Sequence, residues 1–173
     1  NGSFEEDLKG WTYSKADGAL DFGAIISDDY YWKNPDNTFG KTEEGGKLFT
    51  GIETDSNPNL ERGIGTLTSS IFTLQQNGWI TFRLGGAHNA NCGIRIRSAV
   101  DGRVLAEFNN LDKGHDGKLD KYKYQFADMT SDMQCYIEIF DNATEGWGLV
   151  VVDDIVTDCG ATEPDGTLIN NIL

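Results

Sequence analysis

Hydrophobic and polar residues alternate along the second half of the chain, in short runs that end at turn signals. In residues 79–84, Ile80, Phe82 and Leu84 share one face, while Trp79, Thr81 and Arg83 share the other. Strict alternation of this kind predicts a half-buried β-strand. The same pattern recurs in residues 93–99, 104–108, 122–126 and 135–140. Residues 149–156 are apolar on both faces, which predicts a central strand.

The first half gives weaker strand signals. Residues 11–13, 47–52 and 66–74 are strand candidates, and Asn77-Gly78 and Asp101-Gly102 are typical hairpin turns. Residues 27–44 are polar and rich in Asp, Asn and aromatic side chains, which favours a long surface loop. The sequence shows no amphipathic helix, only a possible short turn at 128–133. The pattern predicts an all-β fold, an antiparallel two-sheet β-sandwich of the jelly-roll type.

The length of 173 residues suits one domain with a sizeable core. We assign residues 1–158 to the sandwich and residues 159–173 to a linker or the start of a next module. The chain opens at Asn1-Gly2-Ser3-Phe4 without methionine, so we expect it to be a module of a larger protein.

The net charge of −14 narrows the possible partners. A nucleic-acid phosphate backbone or an anionic membrane needs a basic face, so both are excluded as expected partners. A neutral ligand or a divalent cation remains compatible. The alternative for most of these carboxylates is a solubilising acidic surface.

The three cysteines, Cys92, Cys135 and Cys159, include no Cys-x-x-Cys pair, so a zinc site is not expected. Two of them lie in strand-like segments, where a free cysteine acts as a small buried hydrophobe. One disulfide is possible but not required.

Catalytic motifs are absent from the sequence. The histidines, His88 and His115, have no Gly-x-Ser-x-Gly partner segment for a nucleophilic triad, and both read as loop surface. His88 keeps some interest because its segment GGAHNANCG is glycine-rich, which lets a backbone approach a ligand closely. A glycosidase would need two facing carboxylates, but 28 acidic residues make any such pair unspecific.

The segment DNATEGWGLVVVDDI, residues 141–155, is the most informative part of the chain. Trp147 stands between Gly146 and Gly148, so a ligand can reach its flat apolar face. Asp153 and Asp154 end an apolar strand, where paired carboxylates need a positive partner. The segment favours a ligand-binding β-domain with a structural cation.

Three segments resemble bacterial β-sandwich carbohydrate-binding modules. The opening NGSFEEDLKGW is similar to their entry motif, and GTLTSSIFTLQQNGWITFRLGG is similar to two consecutive core strands. The closing segment resembles the "D-N-x-x-x-G-W-G-x-x-x-x-D-D" end of family 66 modules, which accompany fructan-degrading enzymes of glycoside hydrolase family 32. The insert at 27–44 and the arginine-rich GIRIRS strand depart from that family.

The resemblance implies a jelly roll that binds the terminal residues of a fructan or related glycan without catalysis. It also implies a structural calcium near the chain ends, held by Glu5 and by Asp153 or Asp154. Ca²⁺ prefers several oxygen ligands. The alternative is that the aspartate pair only caps a strand or pairs with a lysine.

Sugars are held by aromatic contacts and by hydrogen bonds from charged or amide side chains. Trp147 is the best aromatic candidate, with a wedge that closes the sandwich end as its alternative. Cross-strand pairing with carboxylates is the alternative for the two arginines. The candidate carbohydrate contacts are Trp147, Asp141, Asn142, Arg95, Arg97, Glu44 and His88.

We therefore predict a non-catalytic carbohydrate-binding module that tethers a linked glycoside hydrolase to its polysaccharide. We expect it in an extracellular or cell-wall-attached bacterial protein. Two rivals remain open. One is a structural or adhesive sandwich of a large surface protein, and the other is a sandwich-fold glycoside hydrolase.

Overall fold

The computed structural model describes residues 1–27, 46–51, 58, 60–110, 119–127, 129–157 and 163–173. Within these ranges the chain forms β-strands and one 3₁₀ turn, Leu60–Arg62. The strands are β1 Trp11–Ser14, β2 Ala24–Ser27, β3 Lys47–Thr50, β4 Gly65–Ser69, β5 Phe72–Leu74, β6 Trp79–Gly86, β7 Cys92–Ser98, β8 Val104–Phe108, β9 Asp120–Gln125, β10 Met133–Asp141, β11 Val150–Val156 and β12 Thr167–Leu168. No helix among these residues is long and apolar enough to cross a membrane.

The strands form two six-stranded sheets. Sheet A has the order β1-β4-β10-β7-β8, with β5 also paired to β10. Sheet B has the order β12-β9-β6-β11-β3-β2. The strand pairs are antiparallel except for β12 and β9, which run parallel at one edge. The predicted all-β two-sheet sandwich is confirmed.

The alternating residues of the sequence form the core between the sheets. Ile80, Phe82 and Leu84 of β6 are buried in it, as predicted from their shared face. The Phe82 ring lies 5.2 Å from Phe108 of sheet A and 6.3 Å from Tyr122, measured between ring centroids. The contact with Phe108 joins the two sheets, and the contact with Tyr122 extends the apolar layer within sheet B.

Strand β11 is central, as its apolar faces predict. It lies between β6 and β3 in sheet B. Val150 and Val152 belong to the main core, whereas Val151 packs with Leu48 and Leu149 in a second buried cluster. Both faces of this strand are therefore covered.

Some boundaries differ from the prediction. Residues 66–74 form two strands, because Ser69 Oγ accepts from the Ile137 N–H at 2.9 Å and the Ser70 N–H donates to Gly10 O at 2.7 Å. These bonds take the place of a continuous ladder. Strands β2 and β12 were not predicted. Three predicted features fall outside the described residues in whole or in part. They are the insert after Ser27, the predicted strand end at Ile52 and the start of the turn predicted at 128–133.

The C-terminal segment, residues 163–173, lies against the sandwich. β12 pairs with β9 of sheet B, and Ile169 is buried in the main core. Asn171 Oδ1 accepts from the Glu107 N–H at 3.0 Å, on β8 of sheet A. The segment therefore contacts an edge of each sheet. The boundary predicted after residue 158 itself falls outside the described residues.

Candidate functional site

Two loops meet at one end of the sandwich. The tryptophan loop, residues 141–148, connects β10 to β11, and the asparagine loop, residues 87–92, connects β6 to β7. The Asn142 N–H donates to Asn91 O at 2.8 Å, and Asn89 Nδ2 donates to Trp147 O at 3.2 Å. The Asn91 N–H in turn donates to Asn89 Oδ1 at 2.9 Å. These bonds hold the two loops together.

Trp147 is presented to solvent in an unusual backbone conformation. Its side chain is 45% exposed, and its φ angle is 69°. A bulky residue at positive φ is strained and is found mainly where function or tight packing requires it. The neighbouring Gly146 has open space where a Cβ would stand, so this position adds no side chain to the exposed loop. Trp147 is therefore available to a ligand.

Asp141 cannot contact a sugar as predicted, because its side chain is fully buried. It is the last residue of β10, and the alternation of the strand places it on the face that points into the sandwich. Its Oδ1 accepts from the Ala143 N–H at 2.8 Å and from Cys92 Sγ at 3.3 Å, while Oδ2 meets no donor among the described residues. Burial raises the pKa of Asp141 to about 7 and also raises the pKa of the Cys92 thiol.

Asn142 and His88 are both exposed at the same end. His88 Nδ1 makes a short contact with Asn110 O, and Asn110 Nδ2 donates to Gly86 O at 2.8 Å. The imidazole is thus fixed at the base of the asparagine loop. The structure brings these two predicted residues to the end that carries Trp147.

Arg95 and Arg97 lie elsewhere, on the outer face of sheet A. Arg95 Nε donates to Glu107 at 2.6 Å, and its guanidinium lies 3.6 Å from the centre of the Phe140 ring. Arg97 Nη2 donates to Glu138 at 3.0 Å. The pairing follows from register, since Glu138 stands directly opposite Arg95. The guanidinium groups of both arginines therefore bond carboxylates on neighbouring strands. This cross-strand pairing is the alternative given above for these two residues.

Glu44, the remaining predicted contact, lies outside the described residues, as do His115 and Cys159. Cys92 and Cys135 are free and buried, in agreement with their reading as small hydrophobes.

Asp153 is the second unusual carboxyl in the structure. Its side chain is fully buried, and neither oxygen has a hydrogen-bond partner among the described residues. Burial is the main cause that raises the pKa of Asp153 to about 8, and the charges of Asp154 and Glu5 add to the increase. An unpartnered buried carboxylate is costly unless a positive group joins it.

Asp154 and Glu5 are already engaged. Arg83 Nε donates to Asp154 Oδ2 at 2.8 Å, in a pair that is largely buried. Glu5 Oε1 accepts from the Lys47 N–H at 2.8 Å. Among the described residues, no group of three or more His, Cys, Asp or Glu side chains is gathered for a metal. A cation bound at Asp153 would therefore need backbone carbonyls or water as further ligands.

The two regions are separate. Val150 pairs with Gly86 beside the asparagine loop, and Asp153 lies three residues further along β11, about 10 Å at the rise of a strand. This spacing is compatible with the predicted separation of a ligand contact in the tryptophan loop from a structural position at Asp153.

Sequence reasoning missed Asn89, Asn91 and Asn110. The first two form the loop beside Trp147, and Asn110 fixes His88. The repeated asparagines in HNANCG were the available signal, because amide side chains bond both backbone and ligand groups.

No protein-family model matches the chain, and no curated protein matches its sequence. Among solved structures, the chain is similar to the K1 cleaved adhesin domain of Lys-gingipain from Porphyromonas gingivalis W83, with 14% identity and a TM-score of 0.51, over 88% of this chain and 93% of that one. That likeness supports the β-sandwich fold.

Two further structures are more distant. An enzymatically active domain of Bacteriophage CBA120 tailspike protein 4 has 12% identity and a TM-score of 0.47, over 90% of this chain and 20% of that one. A family 6 carbohydrate-binding module has 14% identity and a TM-score of 0.40, over 87% of this chain and 95% of that one.

Proposed function

We propose that the chain is a non-catalytic carbohydrate-binding domain whose site is the loop end of the sandwich. The observation that carries the proposal is Trp147, an exposed aromatic ring held at positive φ between two glycines. A sugar ring would stack its C–H face on the indole. Asn142 and His88, exposed at the same end, would bond its hydroxyl groups.

The class of glycan that we propose is a fructan. The support is the resemblance of residues 141–155 to the closing segment of family 66 modules, which accompany fructan-degrading enzymes. Recognition of a chain end would suit a site built on one exposed ring and a few amides, because such a site contacts only one or two sugar units.

The test is titration calorimetry of the domain with levan and with inulin, using xylan and cellulose oligosaccharides as controls. Saturable binding to a fructan alone is the expected result. Binding to one of the control glycans instead would contradict the fructan assignment. The absence of binding to any glycan on a broad array would contradict the function itself.

The proposed role excludes catalysis by the domain. Asp141 and Asp153, whose pKa values lie high enough to suit a general acid, are both buried and cannot reach a substrate. We expect no release of reducing sugar from levan or inulin over a day. Release that persists after a second purification step would favour the sandwich-fold hydrolase.

We also propose a structural calcium ion at the chain ends, with Asp153 as the ligand of the aspartate pair. Its two oxygens are buried without partners, whereas Asp154 already neutralises Arg83. Glu5 would be the second carboxylate, because its charge is one of those that raise the pKa of Asp153. A bound Ca²⁺ would offset the repulsion between these groups.

Removing calcium should therefore lower the thermal stability. With calcium at a hundred times its dissociation constant, binding stabilises the folded state by about 2.7 kcal/mol. We expect EDTA to lower Tm by several degrees and excess calcium to restore it, as measured by scanning calorimetry. The same Tm with EDTA and with calcium would contradict the site.

Two matched variants separate the neighbouring aspartates. Asp153→Asn should abolish the response to EDTA, because it removes the ligand. Asp154→Asn should be less stable through loss of the buried pair with Arg83, but it should still respond to EDTA. The reverse pattern would assign the ion to Asp154.

An adhesive sandwich domain is the second candidate function. The observation that favours it is the likeness to the Lys-gingipain adhesin domain, which covers nearly the whole of both chains. Either function would fit an extracellular or cell-wall-attached bacterial protein, in which the domain tethers linked domains to a surface or polysaccharide.

A further inference from the structure

Asp141 is a buried carboxyl at the base of the tryptophan loop. Its backbone is fixed on both sides, because β10 pairs with Gly65 of β4 and with Cys92 of β7 at this position. A side chain on such a rigid base can hold a loop in one conformation. Its Oδ1 faces the loop, where it accepts from the Ala143 N–H.

Ala143 transmits this restraint across the loop. It is buried, and it packs so closely against Gly148 that a Cβ added there would lie 2.3 Å from the Ala143 Cβ. Gly148 directly follows Trp147. The two ends of the loop are therefore closed against each other at 143 and 148, and the exposed ring projects from this closure.

Cys92 supplies the second contact to the same oxygen. Its thiol donates to Asp141 Oδ1 from the first residue of β7, where the asparagine loop ends. That loop also receives the Asn142 N–H and bonds the Trp147 carbonyl through Asn89. One buried oxygen thus connects both loops that frame the exposed indole.

We propose that Asp141 is the positioning residue of the glycan site, which holds Ala143 against Gly148 and so fixes the direction in which Trp147 is presented. The proposal rests on the proposed function for its ligand, but not for its geometry. The sugar does not touch Asp141, because the carboxyl is sealed from solvent.

The first test measures loop order without a ligand. Asp141→Ala removes the acceptor of the Ala143 N–H, and losing one buried hydrogen bond should raise amide exchange in residues 142–149 about tenfold. Asp141→Asn keeps an oxygen acceptor and should restore slow exchange. Residues 93–98 of β7 are the internal control. Equal exchange in the wild type and Asp141→Ala would overturn the proposal.

Gly148→Ala tests the same closure from the other side. The added methyl group meets Ala143 and leaves Asp141 intact, so it should also raise exchange in the loop. This variant keeps the proposal testable even if Asp141→Ala does not fold. If amide exchange in Gly148→Ala equals that of the wild type, the contact between Ala143 and Gly148 does not order the loop.

The second test measures binding to levan at a temperature where every variant is folded. We expect affinity to fall about tenfold in Asp141→Ala and Gly148→Ala and to stay near wild type in Asp141→Asn. Disturbed exchange with unchanged affinity would overturn the positioning role. Failure of the wild type to bind levan would count against the proposed function, while the exchange results would still decide whether Asp141 orders the loop.

Discussion

Replacing Trp147 by alanine should weaken glycan binding by more than tenfold and leave the fold intact. A tryptophan has about 150–250 Å² of surface that contacts can bury, and 45% of this side chain is exposed. A ligand that covers the exposed part would remove about 100 Å² from water, worth about 2.5 kcal/mol. Titration calorimetry with levan measures the loss, and scanning calorimetry measures the stability.

Ile71→Ala is the matched control for this variant. Ile71 is 61% exposed and lies between β4 and β5, beside the middle of β10 and away from Asp141 at its end. It should leave both affinity and Tm unchanged. If Trp147→Ala instead lowers Tm strongly and leaves affinity unchanged, the ring is a wedge that closes the sandwich and the structural reading is favoured.

The contribution of Asp141 to the stability of the domain should fall as pH rises from about 4 to about 7. Its pKa rises from 3.8 to about 7 on folding, so the folded state binds a proton more tightly than the unfolded state. The resulting stability is fully present below pH 3.8 and is lost as pH rises through 7. The shift corresponds to about 4 kcal/mol.

Asp141→Asn isolates this contribution because it cannot ionise. Urea unfolding at several pH values, with calcium in excess throughout, should show the variant gaining on the wild type as pH rises. The difference between the two should level off above about pH 8. A difference that stays constant between pH 4 and pH 8 would show that the carboxyl does not titrate on folding.

Much of the fold follows from local pattern. The alternation at residues 79–84 predicted which side chains of β6 enter the core, and the apolar run at 149–156 predicted a central strand. Such features need only the period of a strand. The split between β4 and β5 was not predictable, because it depends on Ser69 and Ser70 bonding to residues far away in sequence.

The site was harder to predict, because the sequence of a polar loop does not indicate which of its side chains face solvent and which are buried. Trp147 lies exposed, as a ligand contact requires, whereas its near neighbour Asp141 is buried. Arg95 and Arg97 were candidate sugar contacts with cross-strand pairing as their alternative, and the structure pairs Arg95 with Glu107 and both arginines with Glu138. The pairing of strands, which sequence alone does not fix, decides which of these groups remain available.

The C-terminal segment has a consequence for how the domain can be moved between proteins. Strand edges with unpaired N–H and C=O groups attract foreign strands and promote aggregation. Here β12 pairs with β9, and Asn171 and Ile172 bond the backbone of β8, one edge in each sheet. Residues 163–173 therefore cover one edge of each sheet, and we expect a unit cut before them to associate with itself more readily.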